Sequence, residues 1–362
     1  MQKITTNHRW NYLHFWNPPG TYILENQAAS TCLAQSPGAI VETVSRENWQ
    51  KKSLLQLNDG DRILIVRPGA FGDLLMMTPL IRSLRAQYPL SEVHVACAEA
   101  YMSVLQGVVG LTPYPTTEDA LKQYDLILWM EDVLENNPVA EGLLDGVDCF
   151  FERAGMAAVD GKHLDYEIKG SEESEAMERA GRTRGKKRVT IQCRSSSQAR
   201  NYSTENWTKI IHGLWERKVE VFLVGAPHEI SGFTEDQAIA DIYNMTDIPL
   251  SFRQSAAIVA TSDLLLSVDS AMMHVAGALG VPCISLHGPV SAESRTSSLK
   301  NNTPLTGDCS NCDLAPCYYH QKGSQLFPEE APCVEAGECV VVNSIPPSIV
   351  LEEACKQLQI KY

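Results

Sequence analysis

LLLSVDSAMMHVAGALGVP, residues 264–282, runs from a mostly apolar segment into Asp269 and Ser270, and then into small residues that carry His274 one helical turn later. The apolar run reads as a strand buried on both faces, and the alanine- and methionine-rich run after it as a helix. The acid and the hydroxyl fall at the junction. The first backbone N–H groups of a helix have no partner inside it, so those of about residues 270–273 would point beyond the carboxyl end of a strand, where a parallel sheet takes its ligands. Such an end binds anions. Ser270 adds a hydroxyl and His274 an imidazole toward the same oxygen. The other reading is structural: Asp269 or Ser270 caps the helix, and His274 is a core histidine. Spacing alone leaves both open.

Outward from this stretch the strand and helix pattern repeats. RVTIQC (188–193), a helix around residues 207–215, VEVFLVG (219–225) and VPCISLHG (281–288) surround it. An earlier set comprises RILIV (62–66), the turn RPGAFGD (67–73), a helix with apolar Leu74, Leu75, Met77, Leu80, Ile81 and Leu84, then VHVA (93–96) and YDLILWM (124–130). Strands that alternate with helices imply parallel sheets covered by helices, an α/β fold. Between the two sets, KGSEESEAMERAGRTRGKKR (169–188) is polar and carries three glycines. The domain junction is expected there. Residues 1–60 read as a small N-terminal module of short strands, 61–175 as the first α/β domain, 186–345 as the second, and 346–362 as a final helix capped by Ser348.

With 362 residues the chain is long enough for two well-filled cores. A formal net charge of −14 disfavours general attraction to nucleic acid or to an anionic membrane, so a polyanion would need a local basic pocket. No apolar run approaches the roughly 20 residues of a spanning helix, and the N-terminus lacks a signal-peptide core, so no transmembrane segment and a cytoplasmic location are expected.

Five of eleven cysteines crowd into C-x2-C-x4-C-x15-C-x5-C, residues 309–339. That clustering favours a metal over a disulfide framework, although free or disulfide-linked thiols are the alternative. Cys309, Cys312, Cys333 and Cys339 would form two pairs around a hairpin-sized insertion and suit zinc or a single iron, with Cys317 spare. Four thiolates leave no open position, so the metal would be structural.

In RPGAFGD, Gly69 and Gly72 let backbone approach a ligand and Asp73 opens the helix, as a cap or as a functional acid. The loop departs from the G-x-G-x-x-G fingerprint, which argues against a nicotinamide enzyme. Together, ILIVRPGAFGDLLMMTPLIRSLRAQYP (63–89) and SDLLLSVDSAMMHVAGALGVPCISLHGP (262–289) resemble the two signatures of the ADP-heptose:lipopolysaccharide heptosyltransferases, glycosyltransferase family 9. RNYSTENWTKII (200–211) and VFLVGAPHE (221–229) stand where that family has its intermediate stretches, so the resemblance spans residues 62–295 in order.

The resemblance implies a GT-B fold, two Rossmann-like domains facing a cleft, with acceptor bound by the first and nucleotide sugar by the second. It implies inverting transfer, with Asp73 as base and Arg200, in place of a lysine, beside the departing diphosphate. Glu229 would contact the ribose and Asp269 the donor sugar. Ser270, Ala271, Met272 and His274 would hold the diphosphate, with Ser195 and Ser196 nearby. Alanine at 271 and Pro68-Gly69-Ala70 depart from the family pattern of glycine and of hydroxyls.

The cysteine pattern and the extra N-terminal module resemble the autotransporter heptosyltransferase branch, which implies an iron bound by four cysteines, a homo-oligomeric ring and a protein acceptor in place of lipopolysaccharide. The expected function is transfer of a sugar, heptose from ADP-heptose, to a hydroxyl on a protein or a lipopolysaccharide core. The rival is an inactive GT-B scaffold assembled through the cysteine-metal site.

Overall fold

The computed structural model describes the chain except residues 8, 13–14, 18–19, 25, 46–47, 132, 135–143, 181–184, 196–199, 226–242, 245–249, 289 and 313–338. It divides into two compact units, one of Met1–Val133 with Phe150–Lys162, the other of Leu134–Cys149 with His163–Tyr362.

The first unit begins with β1 (Gln2–Thr6), β2 (Gly20–Leu24), helix α1 (Asn26–Gln35) and β3 (Ile40–Thr43). β1 pairs antiparallel with both other strands in a three-stranded sheet. Then follow β4 (Arg62–Val66), α2 (Phe71–Met76), α3 (Thr78–Gln87), β5 (Glu92–Ala98), β6 (Gly110–Tyr114) and β7 (Leu126–Trp129). These four strands form a parallel sheet ordered β6-β5-β4-β7. The β-branched run of β4 is fully buried from Ile63 to Val66, as a strand covered on both faces must be. Pro79 near its start and buried Leu80, Ile81 and Leu84 make α3 a helix with one apolar side. Ile4, Tyr22 and Ile23 share one core with Leu64, Val66 and Trp129, and the Ile23 N–H donates to the Thr116 carbonyl at 3.2 Å. The N-terminal segment is thus built into the first parallel-sheet unit.

The second unit carries α4 (Gly170–Ala180), β8 (Arg188–Gln192), α5 (Thr204–Glu216), β9 (Glu220–Val224), β10 (Tyr243–Asn244), α6 (Phe252–Ala260), β11 (Leu264–Val268), α7 (Ala271–Leu279), β12 (Cys283–His287), β13 (Asn302–Thr306) and α8 (Pro347–Leu358). Its sheet is parallel with order β10-β9-β8-β11-β12-β13. That is the order of doubly wound nucleotide-binding sheets. Ser203 caps α5 by accepting from the Asn206 N–H, and Trp207 is wholly buried with its indole N–H on the Cys193 carbonyl at 3.0 Å.

The polar stretch at 169–188 contains a full helix, α4: Glu172 accepts from Arg253 of α6 at 2.6 Å through both carboxylate oxygens and Ala176 is buried against that neighbour. One local expectation is corrected. Ser348 does not cap the last helix: α8 starts at Pro347, a residue preset for a first turn, and Ser348 lies inside it. Among the described residues no helix is long and apolar enough to cross a membrane.

Candidate active site

In each parallel sheet the chain builds outward on one side and then returns to build on the other. The reversal lies between β4 and β7 in the first unit and between β8 and β11 in the second. Loops leaving the carboxyl ends of such strand pairs diverge and open a crevice for ligand.

In the first unit the loop after β4 carries Arg67 and Asp73. Arg67 is 2% exposed; its Nη1 donates to the Met130 carbonyl, just past β7, at 3.1 Å, and its Nη2 to Asp73 Oδ2 at 2.5 Å. The same oxygen accepts the Ala70 N–H at 2.8 Å. Asp73 is at the third position of α2, so its charge also faces the positive end of the helix. Asp73 closes the first turn of the helix, at the carboxyl end of β4. A Cβ on Gly69 would lie 2.4 Å from the ring of Tyr101, so only glycine lets the turn pass this close. The Tyr101 ring meets Phe71 edge to face at 4.8 Å, and burial together with the Asp73 charge pushes its phenol up. On the same side of the sheet, the Tyr114 hydroxyl donates to Glu131 at 2.5 Å.

In the second unit Asp269 follows β11 and is 3% exposed. Arg200 Nη1 donates to its carbonyl at 3.2 Å and stands 3.6 Å from its Oδ2; Arg295 Nε stands 4.0 Å from the same Oδ2. Burial alone would push this carboxyl up, but the charges of Arg200 and Arg295 reverse that, with the imidazoles of His287 and His274 acting in the same direction, and it is held well below the usual carboxylate range. His287 ends β12 with no exposure; its Nε2 is 2.7 Å from Ser285 Oγ, which accepts from Asn302 at 2.8 Å. Burial pushes its imidazole down to about 4, so it is neutral near pH 7.

Helix α7 starts at Ser270, whose side chain makes no cap bond and instead lies 3.0 Å from Ser267 Oγ. That removes the capping reading of Ser270. Of the N–H groups expected at the helix head, that of Met273 donates to the Ser270 carbonyl at 3.2 Å. Ala271 is half-buried, Met272 buried, and His274 is 3% exposed. Ser195, beyond β8, is half-buried and its N–H donates to Asn201 Oδ1 at 2.8 Å. Ser196 and Glu229 lie outside the described residues. The expected donor residues that are described therefore gather at one reversal point, and Asp73 stands at the other.

Arg67, Glu131, His287 and Arg295 were not singled out from the sequence. For Arg67 and His287 a signal existed, a charged or titratable residue at the carboxyl end of an apolar strand. Arg295, in the polar run SAESRTSS, had none.

The cysteine region is described in part. Cys309 and Cys312 flank the turn Cys309–Asn311, the Cys312 N–H donating to the Cys309 carbonyl at 3.2 Å, which is the shape of a C-x-x-C knuckle. Cys339 is buried at the head of the helix Val340–Asn343, and the Asp308 N–H ties that region to Ser344 Oγ at 2.7 Å. Cys317 and Cys333 lie outside the described residues, and among those described no three His, Cys, Asp or Glu side chains are grouped to hold a metal.

Residues 143–321 match the family described as glycosyltransferase family 9 (heptosyltransferase). No curated protein matches the sequence. Among solved structures, ADP-heptose lipopolysaccharide heptosyltransferase II of E. coli is 18% identical, with a TM-score of 0.61 over 82% of this chain and 98% of its own. A family 9 glycosyltransferase of Veillonella parvula is 15% identical, with a TM-score of 0.65 over 85% and 99%. The dodecameric iron-containing heptosyltransferase TibC of enterotoxigenic E. coli, solved with ADP-D-beta-D-heptose, is 12% identical, with a TM-score of 0.56 over 98% and 91%. With that family matched across residues 143–321 and the fold shared along most of its length, the chain carries a glycosyltransferase family 9 domain and is a glycosyltransferase.

Proposed function

We propose that the chain is an inverting heptosyltransferase of GT-B type that moves heptose from ADP-heptose to a hydroxyl on a protein or on a lipopolysaccharide core. The observation that carries this is the chemistry at the two reversal points: a carboxylate fixed by Arg67 at one, and a helix head with Arg200, Arg295 and Asp269 at the other. The first unit takes the acceptor and the second the donor. Asp73 accepts the acceptor's proton as that oxygen attacks the anomeric carbon from the face opposite the diphosphate. The bond from that carbon to the phosphate oxygen breaks and ADP departs. Since a carboxylate is a weak base toward an alcohol, the proton moves only as attack proceeds, and position supplies the advantage.

Arg200 and the N–H groups of Ala271 and Met272 offset the charge that develops on the leaving group, with Ser270 and His274 beside them. Asp269 orients the donor sugar, Glu229 the ribose, and Ser195 and Ser196 complete the donor side. Cys309, Cys312, Cys333 and Cys339 hold a structural iron or zinc, and copies of the chain assemble into a homo-oligomer.

The test is ADP release from ADP-heptose with a hydroxyl-bearing peptide or a lipopolysaccharide core as acceptor. Transfer to either acceptor with inversion at the anomeric carbon supports the reading. Absence of ADP binding would favour the inactive scaffold.

A further inference from the structure

We propose that Arg295 is a second cation of the donor pocket and binds the diphosphate of the nucleotide sugar. This rests on the proposed reading of the second unit as the donor side.

Arg295 sits on the short helix Glu293–Thr296 that follows β12. Its side chain is 9% exposed, yet among the described residues it makes no hydrogen bond, and its Nε is fully enclosed without an acceptor. A guanidinium carries five N–H donors and no acceptor, so enclosing its Nε without a partner is costly. The facing carboxylate does not discharge that cost. Asp269 Oδ2 is 4.0 Å away, past hydrogen-bond reach, and is itself enclosed without a hydrogen-bond partner while it also faces Arg200 at 3.6 Å. Two guanidinium groups thus share one carboxylate. The neighbouring His287 is neutral near pH 7 and supplies no counter-charge.

An anion with several oxygens would give such a site the acceptor that its Nε has not found. Asp269 precedes α7, whose head carries no side-chain cap, so the carboxylate that Arg295 faces also leads into the positive end of that helix. A diphosphate supplies oxygens for both. Arginine serves this better than lysine, because its planar fork can meet two phosphate oxygens together. Were Arg295 only a partner for Asp269, the pair would be expected to close to hydrogen-bond distance; it stands open at 4.0 Å.

The test is titration of the full chain with inorganic pyrophosphate and with ADP, followed by calorimetry. The wild-type chain should bind both. Arg295→Met should weaken both by about tenfold or more, and Arg295→Lys should fall between, with a smaller loss for pyrophosphate. An Arg295→Met protein that melts cooperatively and binds pyrophosphate as the wild type does would overturn the inference and leave the transferase reading standing. Should Arg295→Met fail to fold, Arg295→Met/Asp269→Asn, which removes both charges, is compared with Asp269→Asn alone. Equal pyrophosphate affinity in those two proteins overturns the inference, and a tenfold loss supports it. A wild-type chain that binds neither probe sinks this inference together with the donor reading on which it rests.

Discussion

Arg67 and Asp73 are six residues apart and meet across one turn, the guanidinium donating to the carboxylate at 2.5 Å while its other arm reaches the Met130 carbonyl at 3.1 Å. Arg67 therefore ties the head of α2 to the end of β7, and Asp73 is held from both sides of the reversal point. Removing the carboxylate deletes the proposed proton acceptor. Asp73→Ala should abolish transfer and leave ADP affinity within about twofold, since its contacts lie in the first unit. Arg67→Met keeps the carboxylate but releases it, and should lower kcat on the order of 100-fold, the scale of a misplaced catalytic group. Steady-state ADP release and calorimetry with ADP check both; unchanged turnover in Asp73→Ala removes it from the mechanism.

Gly69 makes a sharper test of the same turn. A methyl group there would stand 2.4 Å from the Tyr101 ring, which is itself packed on Phe71 next to the helix head. Gly69→Ala should displace the ring or the turn, at a cost of about 1–3 kcal/mol. Activity should fall further than stability, because the displaced backbone includes the Ala70 N–H that holds Asp73. Urea unfolding beside kcat measurement separates the two losses, and a variant with full activity shows the turn to be tolerant.

Much of this arrangement was legible before any coordinates. RILIV and LLLSV are buried parallel strands whose runs are apolar but for Arg62 and Ser267, and the residue directly after each, Arg67 or Asp269, is charged. α4 was hidden because a partner 81 residues away stabilises it: the Glu172–Arg253 contact has no local signature. β13, NTPLT, escaped notice for the related reason that an edge strand half open to solvent needs no apolar pattern. Arg295 reaches Asp269 only through the fold, and a lone arginine in a serine-rich run points nowhere by itself.

The Glu172–Arg253 contact has its own pH signature. The Arg253 hydrogen bonds hold Glu172 at about 2, below the ordinary glutamate value of 4.5. A depressed carboxylate contributes stability that is present above about 4.5 and lost as pH falls through 2. Solvent reaches the pair, so Glu172→Gln should cost only about 1 kcal/mol at pH 7. The gap between wild type and variant in urea unfolding should close on acidification toward pH 2. A gap that stays constant would show that the charge is not what holds α4 against α6.

For the cysteine knuckle, a structural metal predicts stoichiometry and stability effects before any effect on chemistry. The purified chain should carry about one iron or zinc, and Cys309→Ser, Cys312→Ser and Cys339→Ser should each lose most of it. A chelator should lower Tm while ADP affinity, measured below that Tm, stays unchanged. Elemental analysis and thermal melting decide it, and full metal content in Cys339→Ser would exclude that residue as a ligand.

His287 gives the prediction with the clearest sign. Burial foremost, with Arg295 and Arg200 adding to it and Asp269 opposing, lowers its imidazole from 6.5 to about 4. Between those values the unfolded chain takes up a proton that the folded chain refuses, so stability falls as pH drops from about 6.5 to 4. Above 6.5 the residue contributes no pH dependence. A displacement of this size corresponds to about 3 kcal/mol over the window. In His287→Gln, which is neutral throughout, that component disappears, and the wild-type advantage seen at pH 7.5 should shrink by about 2–3 kcal/mol at pH 4.5. Parallel pH profiles for the two proteins in chemical denaturation would mean that the imidazole is charged in the folded state, and that the pocket around Asp269 holds still more positive charge than its two arginines supply.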